Sequence, residues 1–151
     1  MRTFDFTLTI DCVIFITVAL KVVNGETMPI PISIILGNKT IPAELNDSKT
    51  ARELLAKLPI ESEYSTWGDE LYFPVPVKMG SENSKNIVEL GEITYWPPGK
   101  AFCIFYGATP GSTENEIRPA SPVNPLGYIT GDPKIFKTLV KNTRIIKLEK
   151  A

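Results

Sequence analysis

A chain of 151 residues that is 43% hydrophobic and 22% charged has the size and balance of one globular domain, able to bury a core without metals or disulfides. Its 16 basic and 17 acidic residues leave no concentrated positive charge beyond the solvated run Lys134, Lys137, Lys141, Arg144 and Lys147, which argues against a nucleic-acid binder. There is no histidine, which excludes Ser-His-Asp and Cys-His nucleophile systems within the chain, and two cysteines, Cys12 and Cys103, cannot build a zinc cage.

The first 28 residues differ in character from the rest of the chain. Cys12-Val-Ile-Phe-Ile-Thr-Val-Ala-Leu20 is the most apolar run, yet it is shorter than the roughly 20 apolar residues of a spanning helix, and Asp11 and Lys21 flank it. Three readings stay open: a degenerate signal peptide with cleavage near Val23-Asn24-Gly25, an anchor, or an extension ahead of a true start at Met28. Each places residues 1–28 outside a folded domain of residues 29–151. That domain is expected to be cytoplasmic and off the membrane, or exported if residues 1–25 act as a signal.

From Ile32 the pattern is that of short strands. Ile32–Leu36 and Thr40–Leu45 form a hairpin about Gly37-Asn38. Asp47 or Ser48 caps a helix through Leu58, with Ala51, Leu54, Leu55 and Leu58 at helical spacing, and Pro59 ends it. Ile60–Trp67 is extended. Asp69–Val77 alternates, with Leu71, Phe73, Val75 and Val77 on one face and Glu70 and Tyr72 on the other. Gly80–Asn86 reads as a mobile polar loop. Ile87–Leu90 and Ile93–Trp96 read as strands, and Trp96-Pro-Pro-Gly99 as a tight turn in which Gly99 takes positive φ. Ala101–Tyr106 is apolar throughout, as a central strand covered on both sides should be. A loop over Gly107–Val123 leads to a strand at Asn124–Thr130, an Asp132-capped helix over Pro133–Val140, and a closing strand at Thr143–Leu148. Thirteen prolines in punctuating positions suit this pattern better than long helices. The fold class is α+β, mainly β, and closure into a barrel would remove exposed strand edges.

Three long stretches carry a resemblance: Thr66-Trp-Gly-Asp-Glu-Leu-Tyr-Phe73, Val88 through Gly107, and Ile117-Arg-Pro-Ala-Ser-Pro-Val-Asn124. Through them the domain resembles a family of small bacterial and archaeal cyclophilin-like proteins without established activity. The resemblance implies a closed eight-stranded barrel capped by two short helices, and residues 1–28 fall outside its pattern. It also raises prolyl isomerisation by analogy of fold. True cyclophilins use an arginine beside a hydrophobic proline pocket, in a site that also holds a histidine and a tryptophan. Here Arg118 is the one domain arginine in a loop, and Ile117-Arg-Pro-Ala-Ser does not match their Phe-His-Arg strand, so isomerase activity is expected to be weak or absent.

The chemistry-bearing residues admit two readings. In one, Trp67, Tyr72, Tyr95 and Trp96 are barrel core and rim, while Glu70, Glu89 and Glu92 are solvated. In the other, Glu70, Tyr72, Trp96 and Arg118 line one concave site suited to a small polar molecule or an extended peptide. Cys103, between apolar neighbours and without a histidine, reads as a structural buried thiol. Two carboxylates could act as an acid/base pair only if they face each other across a cleft. Gly91, Gly99 and Gly107 mark turns rather than a phosphate loop. No cofactor and no metal are expected. A non-catalytic binding module is the first reading, a weak isomerase the second, and an oligomer-forming subunit the third.

Overall fold

The computed structural model describes residues 22–23 and 26–151; the apolar run 12–20 and Cys12 lie outside the described residues. A short ribbon of β1 (Val22–Val23) and β2 (Glu26–Thr27) precedes the hairpin of β3 (Ile30–Leu36) and β4 (Lys39–Leu45). Period-2 alternation sends Ile32, Ile34 and Leu36 of β3, and Ile41, Ala43 and Leu45 of β4, into one core.

The helix α1 (Lys49–Lys57) starts at Ser48, whose Oγ accepts from Ala51 N at 3.1 Å. Its buried face is Thr50, Ala51, Leu54 and Leu55; of the expected stripe, Leu58 falls just past the helix as its extended C-cap, half-buried against the core, and Thr50 is added. After it come β5 (Ile60–Glu63), β6 (Ser65–Thr66), β7 (Glu70–Pro74) and β8 (Glu92–Trp96). A single 3₁₀ turn over Pro97–Gly99 leads to β9 (Ala101–Phe105), and a long loop leads to β10 (Asn124–Ile129). A second 3₁₀ turn, Pro133–Ile135, is capped by Asp132 and runs into α2 (Phe136–Asn142), followed by β11 (Ile145–Lys150).

Nine strands pair antiparallel in the order β5-β11-β3-β4-β10-β8-β9-β7-β6. The two end strands are halves of one extended segment interrupted at Tyr64, so the sheet curls into a nearly closed barrel with eight staves. Tyr64 marks the seam: its hydroxyl donates to Thr143 O at 2.7 Å, and its N–H donates to Arg144 O. The interior is filled by alternate residues of every stave, among them Phe73 and Phe102 with ring centroids 5.3 Å apart. Asn124, at the start of β10, bonds Thr50 of α1, whereas α2 follows the end of β10, so the two helices plug opposite ends. Each fully buried Leu, Ile or Phe in this core stabilises by about 1.5–3 kcal/mol relative to exposure.

Closure demands a kink at β10, where register with β8 shifts between Pro125 and Gly127. Gly127 adopts φ +151°, and a Cβ there would collide with the backbone carbonyl of Glu44 on β4. Only glycine lets these two strands approach so closely.

Four expectations need correction. Ile87–Leu90 is not a strand: only Val88 is buried, in a lone bridge with Ile117, while Ile87 and Leu90 face solvent. The loop of residues 80–86 is anchored rather than loose. Asn124 Oδ1 accepts from Glu82 N and Ser84 Oγ, its Nδ2 donates to Gly80 O, and Lys85 bridges to Val123. From this loop the Glu82 carboxylate accepts from Lys49 N, Thr50 N and Thr50 Oγ1, satisfying free N–H groups at the start of α1. Burial pushes that carboxyl up, but these bonds and the Lys49 charge outweigh it and hold it below the ordinary range. Gly99 does not take the left-handed conformation; Lys100 does, at φ 49° and ψ 44°. Gly99 is needed for space, since a Cβ there would lie 2.7 Å from Cε3 and Cζ3 of Trp96. Finally, Glu92 is not solvated. It is 1% exposed, and its oxygens accept from Lys85 Nζ at 2.9 and 3.0 Å and from Glu89 N at 2.9 Å.

Candidate functional site

Because side chains alternate, β7, β8 and β9 send one set inward and a second set outward. The outward set is Glu70 and Tyr72 of β7, Thr94 and Trp96 of β8, and Ala101, Cys103 and Phe105 of β9. On most barrels such a face meets water. Here two loops fold over it, and Val88, Val123 and Ile117 pack with Cys103 and Phe105 into a second, smaller core. This is why β9 is buried along its whole length, as expected from its apolar sequence.

The loop over residues 107–123 is held in shape mainly by its own polar groups. Thr109 N donates to Ser112 Oγ at 2.9 Å, Arg118 N donates to the same oxygen at 3.1 Å, and Thr109 Oγ1 donates to Arg118 O. It is fastened to the barrel where Trp96 Nε1 donates to Ser121 Oγ at 2.7 Å. That bond, together with the Gly99 backbone under the ring, fixes the Trp96 indole as a wall.

Between the loop and the strands lies an open cleft of about 210 Å³. Trp67, Tyr72 and Trp96 give it aromatic walls, and Pro119, Ala120 and Val123 complete the apolar lining. The one ionisable carboxyl in the lining is Glu70, only 7% exposed. Burial pushes its pKa up to about 7, partly offset by the Cys103 thiol beside it. Among the described residues no lysine or arginine pairs with it. Next to it, burial and then the Glu70 charge hold the Cys103 thiol well above its ordinary pKa, so it stays protonated and unreactive. Across the β8–β9 pair, Thr94 stands opposite Cys103, and its buried Oγ1 has, among the described residues, no nitrogen or oxygen partner, only the thiol beside it.

Of the four residues expected to share a concave site, the structure brings Glu70, Tyr72 and Trp96 together in this cleft. Arg118 does not line it. Its guanidinium binds Glu116 Oε1 at 2.7 and 3.0 Å and borders an adjoining hollow with Asn86 and Ser121. The two hollows share Trp67, Pro119 and Ala120. Tyr95 belongs to the core, with its hydroxyl donating to Val77 O at 2.6 Å. Trp67, an aromatic outside the four residues expected at the site, lines the cleft with Pro119, Ala120 and Val123, which nothing in the sequence singles out. Proximity of Trp67 to Glu70 in the chain was the available signal; the loop residues carried none. Among the described residues no second carboxylate faces Glu70 across the cleft, so they do not form the paired-acid arrangement of a glycosidase. Among the described residues no group of three or more acidic or cysteine side chains could hold a metal, and no helix is long and apolar enough to cross a membrane.

Residues 30–148 match the family described as Cyclophilin-like, and the chain belongs to that family. Among solved structures it is similar to the solution structure of the hypothetical protein AF2241 from Archaeoglobus fulgidus. The two share 34% identity over 82% of this chain and 95% of that one, with a TM-score of 0.63. Among curated proteins none matches. The resemblance seen in the sequence is therefore right as to family and barrel, and the relatives bring no activity with them.

Proposed function

We propose that the protein is a non-catalytic binding module for a small molecule, seated in the cleft between β7–β9 and the 107–123 loop. The single observation behind this reading is Glu70, a carboxyl 7% exposed at an aromatic-walled hollow, with no cation among the described residues paired to it. A core packed only for stability gains nothing from such a group, because desolvating a carboxyl costs free energy unless a partner arrives. An apolar pocket with one placed polar group is the usual form of a ligand site. At about 210 Å³ the cleft suits a compact molecule, or one side chain of a peptide, better than a long extended segment.

The two tryptophans of the chain, Trp67 and Trp96, both line the cleft, so intrinsic fluorescence reports its occupancy. The test is a metabolite screen on the full chain read by that fluorescence and by thermal shift. Ala120→Trp, which fills the cleft from its exposed side, is the control. Hits that shift the wild-type protein and leave the filled variant unmoved support the reading. Hits unaffected by Ala120→Trp, or no hits, count against it.

Prolyl isomerisation has less behind it. It asks for a cation aimed at the twisted amide, and Arg118 is engaged by Glu116 outside the cleft. A prolyl-peptide assay should show no acceleration; fast catalysis abolished by Arg118→Ala would replace the binding reading with the enzymatic one.

A further inference from the structure

We infer that the occupant of the cleft presents a compact organic cation, a substituted ammonium group, to Glu70 between the aromatic walls; this rests on the cleft being a ligand site. Three features point to charge rather than mere apolarity. The first is the acid itself: an ionised carboxylate buried among Trp67, Tyr72 and Trp96 is stabilised most by a cation brought into contact with it. The second is that, among the described residues, three cations on the segments around the cleft are committed elsewhere. Arg118 binds Glu116, Lys85 binds Glu92, and Lys137 lies 3.5 Å from Asp69. The third is the wall chemistry. Aromatic rings attract cations through the negative potential of their faces, and weakly hydrated quaternary ammonium groups gain most from such surroundings because they lose little water. A neutral apolar ligand would use the walls and leave the acid unanswered. An anionic ligand would be repelled by it.

The same arrangement makes binding depend on pH. Glu70 titrates near 7, so at pH 8 it is mostly ionised and at pH 6 mostly protonated. A cation should therefore bind about tenfold more tightly at pH 8 than at pH 6, in proportion to the ionised fraction. Such a ligand would in turn hold the proton off Glu70 to lower pH, by linkage.

The probe pair is choline and its neutral isostere 3,3-dimethyl-1-butanol, titrated into the full-length protein by tryptophan fluorescence and calorimetry. The expected result is saturable choline binding at least tenfold tighter than that of the isostere. Glu70→Gln should remove that preference and its pH dependence, leaving the weak affinity for the isostere. Trp96→Leu should weaken choline more than the isostere. Equal affinity for the two probes, or a choline preference that survives Glu70→Gln, overturns the cation while leaving the cleft a ligand site. If neither probe binds but the metabolite screen finds neutral ligands blocked by Ala120→Trp, the cation is likewise refuted and the binding reading stands. If both fail, the binding reading fails with it.

Discussion

Replacing Asn124 by alanine should cost the protein about 2–4 kcal/mol, because one side chain there serves four partners at once. Asn124 is 1% exposed. Its Oδ1 accepts from Glu82 N at 3.0 Å and Ser84 Oγ at 3.2 Å, and its Nδ2 donates to Gly80 O at 2.8 Å and Thr50 Oγ1 at 3.2 Å. An amide has two acceptor sites and two donors, so its capacity is filled. Each bond is worth roughly 1 kcal/mol net, and a buried partner left alone costs more. Some relief comes from water, since the 80–86 loop is only partly buried and can lift. Urea unfolding should give the loss at an unchanged slope, and the melting temperature should fall by about 6–12 °C. Amide exchange should accelerate over residues 80–85 well before it does in β9. A loss below about 0.5 kcal/mol, or a loop whose exchange does not change, refutes the claim that Asn124 pins the loop. Because Val123 lines the cleft beside it, the same variant should also weaken any ligand found there.

Gly99→Ala should destabilise by about 1–3 kcal/mol and shift the Trp96 fluorescence, as its Cβ enters the indole, whereas Lys100→Gly should stabilise by up to about 1 kcal/mol by relieving the left-handed backbone. The opposite signs by urea unfolding would show that the strain and the clash are misassigned. Glu70 gives stability a pH slope of defined sign. Unfolded, it releases its proton near 4.5, while folded it keeps the proton to about 7, so stability should fall as pH rises between those values. The loss is on the order of 2 kcal/mol after discounting for solvent at the cleft mouth, and a slope that persists in Glu70→Gln would assign it to another group. A chain starting at Met28 should keep a cooperative melt, since every stave of the barrel lies beyond that residue; a broad, non-cooperative melt would mean that the earlier segment is structural.

What was legible in the sequence is what local patterning decides. The β3–β4 hairpin, a helix cap at Asp47 or Ser48 and the two faces of the strand after Gly68 follow from turn residues, capping chemistry and period-2 alternation; the structure has the hairpin, takes Ser48 as the cap, and keeps the two faces in a shorter strand, Glu70–Pro74. Glu70, Tyr72 and Trp96 could be grouped because strand alternation fixes which way each one points. Ile87–Leu90 misleads because a short segment of mostly apolar residues reads alike whether it pairs or merely lends one residue, Val88, to a core built from elsewhere. Arg118 was misplaced because a loop cation answers to its nearest acid, and Glu116 sits two residues away. Gly99 was assigned to the right turn for the wrong reason. Glycine can mean a backbone angle or a vacancy for a neighbour's ring, and only the position of Trp96 distinguishes them.

The seam of the barrel bears on the order in which the protein can be finished during synthesis. The stave Ile145–Lys150 lies between β3 and Ile60–Glu63, elements made long before it. Until it emerges from the ribosome, the nascent sheet has two unpaired margins, each a row of N–H and C=O groups open to any passing strand. Both vanish in the single event of that stave's insertion. The cylinder therefore cannot mature piece by piece as the chain is made; its protection against foreign pairing arrives late and all at once.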